Sequence, residues 1–178
     1  MSLITSILPR NAMANWEHKA ALAALAVLST LVTGLVLWSA WFGDITALVL
    51  RSTFFSLSMA AGLIVVAAAR PQAAWRAALY VLAVLVLIPG PFLWTNYMDI
   101  IRSGGIADRT DMALFIIATA AALIVSRYVI GWVMVGLGVV ALLYAFFGAS
   151  IPGTYGHAGY SLGRVTSNLF LRTEGLFG

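Results

Sequence analysis

The sequence predicts an all-α integral membrane protein with about five transmembrane helices and a C-terminal amphipathic helix at the membrane interface. Apolar residues make up 62% of the 178 residues, and charged residues only 9%. Soluble domains contain roughly 45–50% apolar and about 25% charged residues. The charges also divide the chain into long uncharged stretches. A fold in water could not cover so much apolar surface, so lipid is the expected surrounding.

Five uncharged stretches are the predicted spans. The first, residues 20–43, makes about 36 Å of helix, enough to cross a hydrocarbon core of about 30 Å. Its apolar run is longer than the core of a signal peptide, so we expect this span to be retained. The other four stretches are residues 52–69, 77–98, 112–126 and 128–150.

Two of the predicted spans are expected to be irregular. Pro89, Gly90 and Pro91 interrupt the third span, because proline lacks a backbone donor and kinks or ends a helix. Residues 92–102 are then expected to form a second helical piece. Residues 111–148 form either a tight hairpin turning around Arg127 or one long tilted helix. The hairpin is preferred, since an arginine reaches the interface only from near a helix end.

The basic residues favour a cytoplasmic N-terminus. In this orientation five basic residues lie inside and five outside. Three of the outer five lie at a span boundary or beyond the last span, where the positive-inside rule is weaker. The inner residues are Arg10, Lys19, Arg70, Arg76 and Arg127, and the outer residues are Arg51, Arg102, Arg109, Arg164 and Arg172.

The character of the sequence changes after Gly148. Pro152 and Gly153 are expected to stop the fifth helix and to form a turn. Ser161 is a predicted helix N-cap, and it is followed by residues at the spacing of a short amphipathic helix. The apolar residues within 173–178 are expected to begin a new element. The spaced residues of the amphipathic helix are Leu162, Val165 and Leu169.

The most suggestive chemical motif is G-x-S-x-G at residues 159–163, the spacing of a hydrolase nucleophile. No predicted strand precedes the motif and no acid lies in its loop. The N-cap is therefore the preferred role of Ser161, and an intramembrane serine hydrolase using Ser161 and His157 is an alternative. No catalytic residue, metal site or bound cofactor is predicted, because the chain has no cysteine, no P-loop and only two histidines.

The composition of the span interiors bears on the class of function. Transport pathways and proton relays carry ionisable side chains inside the membrane, and the predicted interiors are almost purely apolar. Their small hydroxyl side chains more often join helices than bind ligands. These side chains are Ser29, Thr30, Thr33, Ser56, Ser58 and Thr119. The spans are interpreted as scaffold, and nucleic-acid binding is not expected without a clustered basic surface.

The later part of the chain resembles a known family. Residues 144–148 read Y-A-F-F-G, residues 151–153 I-P-G, residues 157–161 H-A-G-Y-S and residues 171–178 L-R-T-E-G-L-F-G. With the junction from Arg127 to Gly131 and Trp132, this run resembles the fused permease of TAXI-type TRAP (tripartite ATP-independent periplasmic) transporters. There, a similar run leads from a small membrane domain into a large transport domain. A single Arg127 stands where the family has a basic pair.

The resemblance implies an organisation and a function. Residues 1–19 would be a cytoplasmic segment, 20–126 a four-span small scaffold domain, 127–150 a connecting transmembrane helix and 151–178 a loop, the amphipathic helix and the start of the transport domain. The complete permease would be a secondary transporter in the bacterial cytoplasmic membrane for small organic solutes, with organic acids the expected class. A periplasmic binding protein would supply the substrate, and a Na⁺ or H⁺ gradient would drive uptake.

No substrate or ion ligand of the family falls on this chain, so its matching residues are expected to be structural. A stand-alone structural membrane protein without a transport partner is the second alternative. The matching residues are Arg127, Gly131, Trp132, Pro152, Gly153, His157, Gly159, Ser161, Glu174, Gly175 and Gly178.

Overall fold

The computed structural model describes residues 15–150 and 156–177, which contain helices, turns and no β-strand. Five of the helical segments are long and apolar enough to cross a membrane. The predicted fold class is therefore confirmed, and the chain is a multi-pass membrane protein. Four residues named above lie outside the described part of the chain: Arg10, Pro152, Gly153 and Gly178.

The first six helices follow one another with short connections. The third span is built from two helices, α3 (Ala73–Leu85) and α4 (Pro89–Arg102), and the other spans from one helix each. A 3₁₀ turn, Gly148–Ser150, follows the last span. The helices are α1 (Asn15–Phe42), α2 (Ala47–Ala68), α3 (Ala73–Leu85), α4 (Pro89–Arg102), α5 (Arg109–Val129), α6 (Trp132–Phe147) and α7 (Leu162–Leu169).

The chain forms two compact units, one ending at Trp94 and the other beginning at Thr95. The boundary between them lies inside α4. The division at residues 126 and 127 rests on the family resemblance alone and stays a prediction.

In the first unit, α2 packs against both α1 and α3. Ala21 and Leu25 of α1 meet Ala68 at the end of α2, where small side chains let the helices approach closely. The third span breaks as predicted, since α3 ends at Leu85 and α4 begins at Pro89. Proline fits the first position of a helix, where its missing N–H needs no partner.

In the second unit, α5 and α6 pack against each other as the two arms of a hairpin. A side chain at Gly138 of α6 would lie 3.2 Å from Leu123 Cδ2 of α5. The preferred hairpin is therefore present, but its turn is at Ile130 and Gly131 and not around Arg127, which lies in the last turn of α5. Helix α7 packs against α5.

The two ends of the second unit differ from the sequence predictions. The fourth span is longer than the expected 112–126, because α5 runs from Arg109 to Val129. The described residues after α7 form turns and not the start of a new helix. The main-chain N–H of Leu176 donates to the Leu169 carbonyl, and the Phe177 ring lies 5.4 Å from that of Phe170. The chain thus folds back over the end of α7.

Candidate functional site

Three of the family-motif residues lie in or beside the turn between α5 and α6: Arg127 in the last turn of α5, Gly131 in the turn and Trp132 at the start of α6. Gly131 has φ +112° and ψ −170°, a conformation that side-chain-bearing residues rarely adopt. The Arg127 guanidinium carbon lies 4.1 Å from the centre of the Trp132 ring. This cation–π contact holds the charge at the helix end, where it also complements the negative end of the α5 dipole.

His157 lies at the opposite end of α6, where it satisfies the helix terminus. Its Nδ1 accepts a hydrogen bond from the Gly159 N–H at 3.0 Å, so the proton of the neutral ring is on Nε2. That Nε2–H donates to the Tyr144 carbonyl at 3.0 Å. The Tyr160 N–H donates to the next carbonyl, that of Ala145, at 3.0 Å. The loop therefore supplies donors to two carbonyls in the last turn of α6, the part of a helix where carbonyls need partners from outside it.

The imidazole also contacts two aromatic rings and the backbone. Tyr144 meets it edge-on and Tyr160 stacks on it, at centroid distances of 4.8 and 4.9 Å. A side chain at Gly148 would overlap the ring, and the Gly148 carbonyl accepts from the His157 N–H. The loop therefore needs both the histidine and the small residue opposite it.

Ser161 is the N-cap of α7, as predicted. Its hydroxyl oxygen accepts from the Arg164 N–H at 3.3 Å. Both nitrogens of His157 are engaged by the backbone, so the ring is oriented as a helix cap and not as a base for Ser161. This arrangement favours the capping role over the hydrolase alternative.

Glu174 and Gly175 lie in the turn after α7. Glu174 is exposed. At Gly175 a side chain would overlap the Leu169 backbone, because the two segments cross there. The motif residues described by the structure thus fall into three local groups: the α5–α6 turn, the loop at the end of α6, and the turn after α7. They do not converge on one cavity.

A polar group at the start of α5 was not predicted from the sequence. Asp108 and Asp111 form a capping box in which each carboxylate accepts from the other residue's N–H, at 2.8 and 2.9 Å. The Ala107 N–H donates to the Ser167 hydroxyl of α7 at 2.8 Å. The D-x-x-D spacing could have predicted this capping box, because a carboxylate at the third helical position can accept a hydrogen bond from the N–H of the N-cap residue. These contacts attach the amphipathic helix to the start of the span.

An ion pair in the first unit was also missed. Arg76 Nη2 of α3 lies 3.2 Å from Glu17 Oε2 and 3.3 Å from Glu17 Oε1 of α1. The two side chains are only 15% and 22% exposed, respectively. Each residue lies in the first turn of its helix, so the pair joins the same ends of two helices that run in parallel.

Among the described residues, no group of three or more His, Cys, Asp or Glu side chains could hold a metal ion. The chain matches no protein-family model, no curated protein and no solved structure. The chemistry of the motif groups is that of helix termini, capped by side chains and by backbone donors.

Proposed function

We propose that the chain is the small scaffold portion of a TRAP-type secondary transporter, which is driven by an ion gradient and depends on a substrate-binding protein. The observation that carries the proposal is the position of the charges. In the described spans, every charged side chain lies within about two turns of a span end. A span that carries substrate or ions needs polar groups at depth, so these spans suit a brace.

The motif residues support the same role. Arg127, His157 and Ser161 are each engaged by a helix terminus or an adjacent ring. Such contacts hold a turn or a loop in one conformation, which is a structural role. The resemblance places the same residues at the passage into a transport domain, where a rigid connection between domains is useful.

Helix α6 offers the surface for a partner. No residue of α6 is buried within its own unit, and of the 3₁₀ turn that follows it only Gly148 is buried. In the proposal, lipid and the large transport domain cover its apolar side chains, and a periplasmic substrate-binding protein docks on the complete permease. The chain then lies in the bacterial cytoplasmic membrane with its N-terminus inside. Small organic solutes, with organic acids as the expected class, are the cargo.

The test is to read the gene on both sides of codon 178 and to purify the chain from its native membrane. We expect a large multi-span permease in the same frame or in an adjacent gene, together with a binding protein, and we expect the permease to copurify. Net solute uptake into liposomes by this chain alone would contradict the scaffold role. So would a genome neighbourhood without a permease and a binding protein.

A further inference from the structure

A groove of about 320 Å³ lies in the first unit, open on one side, between α1, α2 and α3. Ala20, Ala21 and Ala24 of α1 and Ile64 of α2 form its apolar wall. The small alanine side chains leave space that larger residues would fill. If a methylene group occupies about 30 Å³, as a water molecule does in the liquid, the groove has room for on the order of ten methylene groups.

One end of the groove lies at the start of α1, where Trp16 and Glu17 line it. Tyr80 of α3 also lines the groove, and the carboxylate of Glu17 is the one charged group in an otherwise largely apolar lining. Glu17 is paired with Arg76, so the groove ends beside a carboxylate and a guanidinium 3.2 Å apart. Trp and Tyr at a span end are typical of the headgroup level of a bilayer. The indole N–H and the phenol hydroxyl can donate to phosphate and ester oxygens.

We propose that the groove binds one molecule of phosphatidylethanolamine, with an acyl chain along the alanine wall and the headgroup at Glu17. The argument for this occupant is charge complementarity. A Glu–Arg pair presents a negative and a positive group side by side. A zwitterionic headgroup carries an ammonium group, which complements the carboxylate, and a phosphate group, which complements the guanidinium. The primary ammonium of ethanolamine donates hydrogen bonds to a carboxylate, whereas the quaternary ammonium of choline has no N–H. An anionic headgroup such as that of phosphatidylglycerol offers Glu17 no cation.

The proposal does not depend on the transporter assignment, because the groove belongs to the first unit alone. Its test is native mass spectrometry of the full chain in mild detergent, with phosphatidylethanolamine, phosphatidylcholine and phosphatidylglycerol of identical acyl chains. We expect one retained phosphatidylethanolamine, bound several-fold in excess over the other two lipids. Equal retention of the three lipids would overturn the headgroup assignment.

Two variants localise the lipid to the groove. Ala24→Phe places a ring in the groove and is expected to abolish the retained lipid. Ala23→Phe, on the adjacent exposed position of α1, is the matched control and is expected to keep it. Retention of the lipid by Ala24→Phe at the level of Ala23→Phe would overturn the proposal.

A third variant tests the carboxylate. Glu17→Gln is expected to reduce the preference for phosphatidylethanolamine over phosphatidylcholine to near parity. Because this change leaves Arg76 beside a neutral group, the double variant Glu17→Gln/Arg76→Gln provides a neutral pair that can still form a hydrogen bond. An unchanged preference in a folded double variant, with thermal unfolding as the check, would show that the ion pair does not select the headgroup.

Discussion

Gly175 is the residue at which the C-terminal turn crosses the end of α7, and a side chain there would overlap the Leu169 backbone. We predict that Gly175→Ala destabilises the protein by about 1–3 kcal/mol, the usual penalty for inserting atoms into a packed site. Thermal unfolding in detergent measures the effect.

The matched control is Gly136→Ala in α6, where a side chain would have no neighbour within 4 Å. Alanine in a helix interior is favoured over glycine by about 0.5–1 kcal/mol, so this variant is expected to keep or raise the unfolding temperature. Equal effects of the two substitutions would mean that the turn does not cross α7 in the membrane-embedded protein.

Ser161 separates the capping role from the hydrolase alternative. We predict that Ser161→Ala lowers stability by about 0.5–2 kcal/mol through loss of the N-cap, and that Ser161→Asp restores it, since aspartate caps equally well. Both are measured by thermal unfolding. If instead Ser161→Ala abolished a hydrolytic activity that Ser161→Asp did not restore, serine would be a nucleophile.

The two motif residues Ser161 and His157 show what the sequence could predict at this scale. The N-cap was predictable because the Ser161 hydroxyl accepts a hydrogen bond from a nearby N–H, that of Arg164, three residues further along the chain. The C-terminal cap of α6 was not, because His157 reaches Tyr144 only after the chain reverses over thirteen residues. The direction of that reversal depends on tertiary packing.

The α5–α6 hairpin can be tested with two engineered cysteines, since the natural chain has none. We predict disulfide formation between Leu123→Cys and Gly138→Cys, because a Cβ atom at Gly138 would be in contact with the Leu123 side chain, 3.2 Å from its Cδ2. In one long helix the same two positions would be about 22 Å apart, too far for a disulfide. Gel mobility after mild oxidation and protease cleavage measures the cross-link.

The control pair for the hairpin is Leu123→Cys with Leu137→Cys. Leu137 is 62% exposed, so its side chain points away from α5. We expect little cross-linking of this pair. Cross-linking of both pairs at the same rate would indicate a mobile α6, and failure of both would favour the single long helix.

Helix positions were predictable from the uncharged stretches, whereas helix ends were not. The predicted span 112–126 stopped at the charged residues on either side, yet α5 begins at Arg109 and ends at Val129. The helix extends past these charged residues because each has a local partner. Asp108 and Asp111 form the capping box at its start, and Arg127 makes a cation–π contact with the Trp132 ring. A rule based on charge alone therefore makes spans too short wherever a charge finds a local partner.

At the scale of the whole molecule, five spans require the connections to alternate between the two sides of the membrane. We predict that single cysteines at Asp44 and Ser103 react with a membrane-impermeant maleimide added outside intact cells. Cysteines at Gln72 and Ile130 should react only after the membrane is opened. All four positions are exposed, so lack of labelling reports on the side of the membrane and not on burial.

The reverse labelling pattern would leave the five spans intact and reverse the proposed orientation. A pattern in which Ser103 and Ile130 label from the same side would remove a span from the second unit. Composition alone was enough to predict membrane insertion. The boundary between units, after Trp94, was not predictable, since it lies inside a continuous helix and not in a polar linker.

The Glu17–Arg76 pair also has a consequence for biosynthesis. The ribosome makes the chain from its N-terminus, so Glu17 reaches the bilayer edge before Arg76 has been synthesised. Until α3 arrives, the carboxylate has only headgroups and water for partners. The salt bridge between α1 and α3 therefore distinguishes the finished packing of α1, α2 and α3 from a nascent two-helix hairpin. It gives α3 a definite place beside α1.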